Sequence, residues 1–149
     1  VVIQAMLHRS EQDVRSLLDY QPVVRLCKGI YRESRTIAFT DREDVRANYR
    51  KLLRMMLDGG FYPAIATHDD PLLDDARALI RERGLRPDQY EFQMLLGVRE
   101  GVRRRLLAEG HHLRVYVPFG EDWYGYATRR LKENPEMAGM IAKAVVLGR

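Results

Sequence analysis

The fold is decided by one strand–helix–strand unit, which over residues 62–96 reads YPAIATHDDPLLDDARALIRERGLRPDQYEFQMLL. Residues 62–67 form a short, mostly apolar run that is typical of a buried strand. Residues 71–83 have the apolar spacing of a helix, and Gly84 ends it. A second strand is predicted over residues 90–96. Strand, helix and strand in this order indicate two parallel strands joined by a crossover helix.

The same alternation continues on both sides of this unit. Ser10, followed by Asp13, resembles a helix-capping pattern, and Thr40 is predicted to cap the helix that follows the loop at residues 32–39. We predict strands at residues 1–6, 23–29, 62–67, 90–96 and 113–118, and helices that begin at Ser10 and cover residues 41–57, 71–83, 101–109, 123–133 and 135–147. Five strands therefore alternate with helices.

Two architectures fit this alternation, a (β/α)₈ barrel and an open doubly wound sheet. No G-x-G-x-x-G follows any strand, so a dinucleotide-binding open sheet lacks its usual support. Five units are too few for a complete barrel, and the chain begins with the apolar run Val1, Val2, Ile3 instead of a methionine. We therefore expect residues 1–149 to be the C-terminal portion of a longer protein, whose absent N-terminal part supplies the rest of a barrel.

The composition narrows the class of protein. The chain has 149 residues, of which 46% are hydrophobic and 31% charged, which indicates one ordinary globular domain and excludes a disordered chain or a membrane-spanning protein. The one cysteine, Cys27, excludes an internal disulfide and a cysteine-based zinc site, and suits a reducing compartment. The net charge is +4, from 25 Lys and Arg against 21 Asp and Glu. Most of the basic excess is arginine, which favours recognition of carboxylates and phosphates.

Polar side chains interrupt strands that should be apolar on both faces. A buried charge must be paired or bound to a ligand, and ligands bind at the carboxyl ends of parallel strands in barrels and open sheets alike. A ligand site at this end of the sheet is therefore predicted. The interrupting residues are Gln4, Arg25, Lys28, the run Thr67-His68-Asp69, Glu91, Gln93, Arg114 and Tyr116.

The predicted helix at residues 123–133 adds a second indication. Its residues Tyr126, Arg129, Arg130 and Glu133 are spaced so that they share one side of the helix. Two adjacent arginines beside a tyrosine can hold a carboxylate through fork-like hydrogen bonds, and Glu133 can orient an arginine. The alternative interpretation is that these residues only form a helix face exposed to solvent.

Other polar residues also have structural interpretations. His68 can be a structural histidine, His111 and His112 fit a surface turn, and Cys27 can be a small buried side chain. No spacing typical of metal ligands and no nucleophile elbow is present, so no metal-binding residue is predicted.

Six segments, in order along the chain, resemble the proline dehydrogenase family, and some of their variants resemble its short monofunctional bacterial members. They are Ile3-Gln4-Ala5, Arg25-Leu26-Cys27-Lys28-Gly29-Ile30-Tyr31, Ala66-Thr67-His68, Tyr90-Glu91-Phe92-Gln93-Met94-Leu95, Arg114-Val115-Tyr116-Val117-Pro118 and residues 126–134. The resemblance implies an α/β fold, a (β/α)₈ TIM barrel that holds FAD, of which this chain supplies roughly the fourth strand through the last helix. It also implies oxidation of L-proline to 1-pyrroline-5-carboxylate, with electrons passed from the flavin to a quinone.

The resemblance assigns roles residue by residue. It implies proline binding by Arg129, Arg130, Tyr31, Tyr116, Tyr126 and Leu95, and cofactor binding by Gln4, Arg25, Lys28, Thr67, His68 and Glu133. The arginine pair grips the carboxylate, the tyrosines and Leu95 wall the ring, and Arg25 stabilises negative charge beside the flavin.

The family also uses an early lysine and aspartate that this chain does not contain, and Arg32 or Arg35 could face the FAD pyrophosphate. We expect a cytoplasmic protein with peripheral contact at the inner membrane, and leave the oligomeric state open.

The rival hypothesis is a non-catalytic basic α/β fragment that binds phosphate-rich ligands or nucleic acid. The net charge and the arginine-rich stretch at residues 99–105 motivate it. Proteins that bind single strands interleave aromatic side chains with bases, and no aromatic residue lies in this stretch. The leading hypothesis therefore includes no nucleic-acid partner.

Overall fold

The computed structural model describes residues 1–31, 33–117 and 120, in which strands and helices alternate. The strands are β1 (Val2–Gln4), β2 (Val23–Cys27), β3 (Tyr62–Ala66), β4 (Glu91–Leu95) and β5 (Leu113–Tyr116). The helices are α1 (Ser10–Ser16), α2 (Arg42–Asp58), α3 (Asp70–Glu82) and α4 (Glu100–Ala108), with single 3₁₀ turns at Leu18–Tyr20 and Pro87–Gln89. The helices predicted at residues 123–133 and 135–147 lie outside the described residues.

The order in which the strands pair decides between the two predicted architectures. The five strands form one sheet in the order β1-β2-β3-β4-β5, and every neighbouring pair is parallel. A doubly wound sheet reverses its strand order at a switch point, whereas a barrel adds each strand beside the preceding one. The five described strands show no reversal, so the chain is a segment of a barrel-type sheet.

The two faces of the sheet differ in chemistry because side chains alternate along a strand. On the outer face, Val24, Leu26, Ile65 and Phe92 are fully buried among the helices. They pack in one core with Tyr49, Leu52, Leu53 and Met56 of α2 and with Leu72, Leu73, Ala76, Leu79 and Ile80 of α3. Each large side chain fully buried in this way contributes about 1.5–3 kcal/mol. The inner face carries the polar and small residues.

Two predictions about helix starts are wrong. Asp41, not Thr40, caps α2: its carboxylate accepts hydrogen bonds from the backbone N–H of Glu43 at 2.7 Å and of Asp44 at 3.2 Å. Asp41 directly precedes the first helical residue and has an extended backbone, as a cap requires. Ser10 begins α1 but does not cap it, because its buried hydroxyl donates to the carbonyl oxygen of Leu7 at 2.7 Å.

Among the described residues, none of the helices combines the length and the apolar character needed to cross a membrane.

Candidate functional site

The carboxyl ends of the strands open into one cleft of about 760 Å³. This volume lies within the range of small-molecule sites. Eight residues with predicted roles line the cleft: Gln4, Arg25, Lys28, Tyr31, Thr67, His68, Leu95 and Tyr116. The other four, Tyr126, Arg129, Arg130 and Glu133, lie outside the described residues. The structure therefore brings together residues that lie on the strands or directly after them and that the sequence distributes over positions 4–116.

A row of hydrogen-bonded polar side chains crosses the inner face of the sheet. Arg25 of β2 donates through NH1 to Oε1 of Gln93 on β4, and Gln93 donates through Nε2 to Glu91 at 2.5 Å. Arg114 of β5 donates to both carboxylate oxygens of Glu91, at 2.7 and 2.8 Å. The row therefore gives the buried Glu91 carboxylate its hydrogen-bond donors, and it holds the Arg25 guanidinium at the cleft.

A cluster that we call the basic corner forms one wall of the cleft and consists of Lys28, Arg42, Arg46 and Asp69. The Asp69 side chain is only 1% exposed and accepts hydrogen bonds from Lys28 Nζ at 2.8 Å and from Arg46 Nε at 3.1 Å, while Arg42 NH2 lies at 3.7 Å. Burial alone raises the pKa of Asp69, but the hydrogen bonds from Lys28 and Arg46 outweigh it and hold the pKa below its ordinary 3.8. Arg46 also pairs with Glu43 at 3.0 Å, so three cations here face two carboxylates, and the remaining positive charge suits an anionic ligand group.

His68 lies at the cleft as a neutral imidazole. Burial, followed by the charges of Arg99, Arg25 and Lys28, lowers the pKa of His68 to about 4. Its Nε2 accepts the backbone N–H of Leu95 at 3.3 Å, so the proton is on Nδ1. Among the described residues, this buried Nδ1 has no hydrogen-bond partner. His68 thus has a structural bond on one nitrogen and a free donor for a ligand oxygen on the other.

Apolar and aromatic side chains form the rest of the cleft. Leu95 and Tyr116 are paired across β4 and β5, and Tyr31 follows the turn after β2. Tyr31 and Tyr116 are about half exposed, at 52% and 47%. Gly29 shapes the turn: its φ is +98°, and a Cβ there would overlap the side chain of the buried Met6. The half-exposed rings can cover a bound ligand.

The sequence assigns no proline- or cofactor-binding role to Arg42, Arg46, Asp69 or Arg99, although all four line the cleft. Asp69 is named in the sequence only as the end of the polar run Thr67-His68-Asp69, and Arg99 only as the start of the arginine-rich stretch. Arg42 and Arg46 are four residues apart in the first turns of α2, which places them on one face, but nothing local shows which face meets the cleft. In residues 1–31, 33–117 and 120, no three His, Cys, Asp or Glu side chains are grouped to hold a metal ion.

Known proteins similar to this chain are proline dehydrogenases. The family profile described as proline dehydrogenase matches residues 1–143. Proline dehydrogenase 2 of Bacillus subtilis strain 168 is 48% identical over 144 residues, which cover 97% of this chain and 48% of that protein. Proline dehydrogenase of Deinococcus radiodurans is 42% identical over 147 residues, which cover 99% and 47%. The chain spans about half the length of these curated relatives.

Solved structures similar to this chain are of proline utilization A. The structure from Bdellovibrio bacteriovorus, inactivated by N-propargylglycine, has a TM-score of 0.74 and 30% identity, covering 80% of this chain and 14% of that one. A proline utilization A structure with proline bound in remote sites has a TM-score of 0.78 and 25% identity, covering 96% and 17%. These likenesses confirm both the resemblance found in the sequence and the barrel type of the fold.

Proposed function

The chain belongs to the proline dehydrogenase family, and from that premise we propose that this protein oxidises L-proline to 1-pyrroline-5-carboxylate, with FAD as its cofactor and a quinone as electron acceptor. The observation that carries the proposal is the convergence of eight predicted site residues on one cleft at the carboxyl ends of the strands. In barrel enzymes the chemistry takes place at this end.

The cleft residues fit a flavin dinucleotide. The buried Nδ1 of His68 is a hydrogen-bond donor that lacks an acceptor among the described residues, and a cofactor oxygen would supply one. The basic corner carries an excess of positive charge that suits a diphosphate. Gln4, Arg25 and Thr67 add polar groups at the strand ends, so these residues, with Lys28 and His68, are the proposed cofactor contacts. Bound FAD supplies the capacity to accept a hydride, which no side chain has.

The chain's own residues bind and orient the proline. Arg129 and Arg130 are proposed to hold the carboxylate, and Glu133 to orient the pair. Tyr31, Tyr116, Tyr126 and Leu95 are proposed to wall the ring, which excludes water and fixes the ring's orientation. Arg25 places a positive charge at the inner face of the cleft, where it favours negative charge developing during the reaction.

The rival phosphate- or nucleic-acid-binding function has less support. In the arginine-rich stretch, Arg99 donates to the His68 carbonyl oxygen at 2.8 Å and to Asp70 at 2.6 Å, and Arg104 pairs with Glu100 at 2.6 Å. Two of the four arginines in the stretch, Arg99 and Arg104, are thus paired with carboxylates of the protein, and such ion pairs reduce the positive charge offered to a polyanion.

We expect Arg25→Met to weaken flavin retention or to slow flavin reduction by proline. Methionine keeps much of the side-chain length but removes the charge and the hydrogen bond to Gln93. The measurement is the flavin absorbance per protein after gel filtration, followed by anaerobic reduction with proline. Arg105→Met, on the exposed part of α4, is the matched control and is expected to behave as wild type. Full flavin content with wild-type reduction kinetics in Arg25→Met contradicts the role of Arg25.

Cyclic five-membered amino acids are expected to inhibit proline oxidation about tenfold more strongly than linear ones such as norvaline. A rigid ring loses less conformational freedom on binding between aromatic and apolar walls than a flexible chain does. Inhibition constants measured against proline for both classes test this prediction. Equal constants would count against the ring-walling role of Tyr31, Tyr116 and Leu95.

A further inference from the structure

The reach of Arg25 across the sheet depends on two alanines. Arg25 lies on β2 and its acceptor Gln93 lies on β4, so its side chain must pass over β3. The β3 residues on that face, Ala64 and Ala66, are aligned with Arg25 and Cys27 of β2 and with Glu91 and Gln93 of β4. Because each alanine carries only a methyl group, the space above β3 is open to the Arg25 guanidinium. A large side chain at either alanine position would occupy it.

The amide of Gln93 has one orientation that satisfies both of its neighbours. An arginine only donates hydrogen bonds, so the amide oxygen must face Arg25. An ionised carboxylate only accepts them, so the amide nitrogen must face Glu91, which it meets at 2.5 Å. The amide cannot turn over without losing both bonds. Gln93 therefore offers its oxygen at a fixed point beside the cleft.

Glu91, which accepts the hydrogen bond from Gln93, is also held in place by Arg114. The Glu91 side chain is 8% exposed, and Arg114 binds both its oxygens in a fork-like arrangement. The hydrogen bond from Arg114 is the largest cause of a lowered pKa for Glu91, so the carboxyl is ionised near neutral pH. The hydrogen bonds therefore lead from the Arg25 guanidinium on β2 through Gln93 to Glu91 on β4, and the ion pair with Arg114 of β5 holds Glu91 in place.

We propose that Gln93 is a positioning residue for Arg25, and that the Glu91–Arg114 pair anchors it. This inference rests on the proposed function, in which Arg25 faces the cofactor. Gln93 sets where the guanidinium lies and thereby how strongly it stabilises the reduced cofactor. A row that only held strands together would contribute to stability and leave the cofactor's redox properties unchanged.

A double-mutant cycle on the flavin midpoint potential tests this inference. The four proteins are wild type, Gln93→Leu, Arg25→Met and the double variant, each loaded with flavin and equilibrated with a redox dye without proline. Leucine for glutamine changes no charge, so a potential shift cannot come from lost charge at position 93. Gln12→Leu, on the exposed side of α1, is the matched control.

Gln93→Leu is expected to lower the equilibrium constant for flavin reduction about three- to tenfold, which is about 15–30 mV for a two-electron couple. In the Arg25→Met background the same substitution is expected to cause no further shift, because the group that Gln93 positions is gone. Gln93→Met, with an unbranched side chain, gives the same comparison if the leucine variant does not fold.

Three results would overturn the inference. A wild-type potential in the Gln93 variants would show that the row serves stability alone. A shift of equal size with and without Arg25 would show that Gln93 acts independently of Arg25. A wild-type protein that retains no flavin would overturn the proposed function and this inference together, whereas the first two results leave the proposed function intact.

Discussion

Asp69→Ala is expected to lower the free energy of unfolding by about 3 kcal/mol, since removing one partner of a buried ion pair leaves the other charges uncompensated. The Asp69 side chain is 1% exposed, and Lys28 and Arg46 both direct their charges at it. Without this carboxylate the basic corner holds only cations, which repel one another. Chemical denaturation monitored by circular dichroism at neutral pH measures the change.

Asp74→Ala is the matched control for this prediction. Asp74 lies on α3, close to Asp69 in sequence, and pairs with Arg77 at 3.1 Å, but its side chain is 71% exposed. Exposed pairs contribute about 0–1 kcal/mol, so the control is expected to be close to wild type. Similar losses in the two variants would show that the basic corner does not stabilise the fold more than a surface pair does.

The effect of Asp69 is also expected to depend on pH. Because the pKa of Asp69 is held below its ordinary 3.8, its carboxylate stabilises the folded state above that value, and this stabilisation is lost as the pH falls through the folded-state pKa. The stability difference between wild type and Asp69→Ala should therefore be constant from pH 7 to about pH 5 and shrink toward pH 3. A difference that grows on acidification would contradict this assignment.

Arg129→Met and Arg130→Met are each expected to raise the Michaelis constant for proline about ten- to a hundredfold. A charge-assisted hydrogen bond contributes roughly 1.5–3 kcal/mol, and each variant removes one side of the proposed carboxylate clamp. Flavin should stay bound, because the pair is assigned to the substrate. Steady-state kinetics at varied proline concentration, with flavin content measured in parallel, test both expectations.

Lysine at either position is expected to restore only part of the lost affinity for proline. An ammonium group keeps the charge but cannot reproduce the paired hydrogen bonds of a guanidinium. The alternative interpretation, a solvated helix face, predicts almost no kinetic change in any of these variants. Michaelis constants near wild type for both methionine variants would thus remove the carboxylate clamp from the proposed mechanism.

The secondary structure could be predicted from local sequence because its signals are local. Gly84 ends a helix, and the alternation of short apolar runs with helical spacing yields five strands. The choice between a barrel and an open sheet could not be made in this way, since both use the same strand–helix unit. It required the pairing order of the strands, which depends on contacts between distant segments. Local sequence also does not decide between Thr40 and Asp41 as the cap of α2, because both side chains suit a helix cap.

Some residues of the candidate site could likewise be predicted from local sequence, and others could not. Polar residues at the carboxyl ends of apolar strands, such as Arg25 and His68, stand out in the sequence because burying them without a partner would be costly. Other charged residues of the cleft do not stand out: Arg46 lies on a helix and meets Asp69, 23 residues later in the chain, but by itself it resembles an ordinary surface charge. The cleft therefore contains more charged residues than the sequence could assign to it.

By itself, the sequence determined the family, the strand–helix alternation and the end of the sheet where the polar residues gather. Only the tertiary structure decided which of these residues meet. Gln93 lies 68 residues after Arg25 in the chain, and β3 separates their strands. Arg25 can reach across β3 because β3 carries alanines at the facing positions. Strand order and register set that distance. They are properties of the packed sheet, since they depend on which segments, far apart in the chain, lie side by side and in what register.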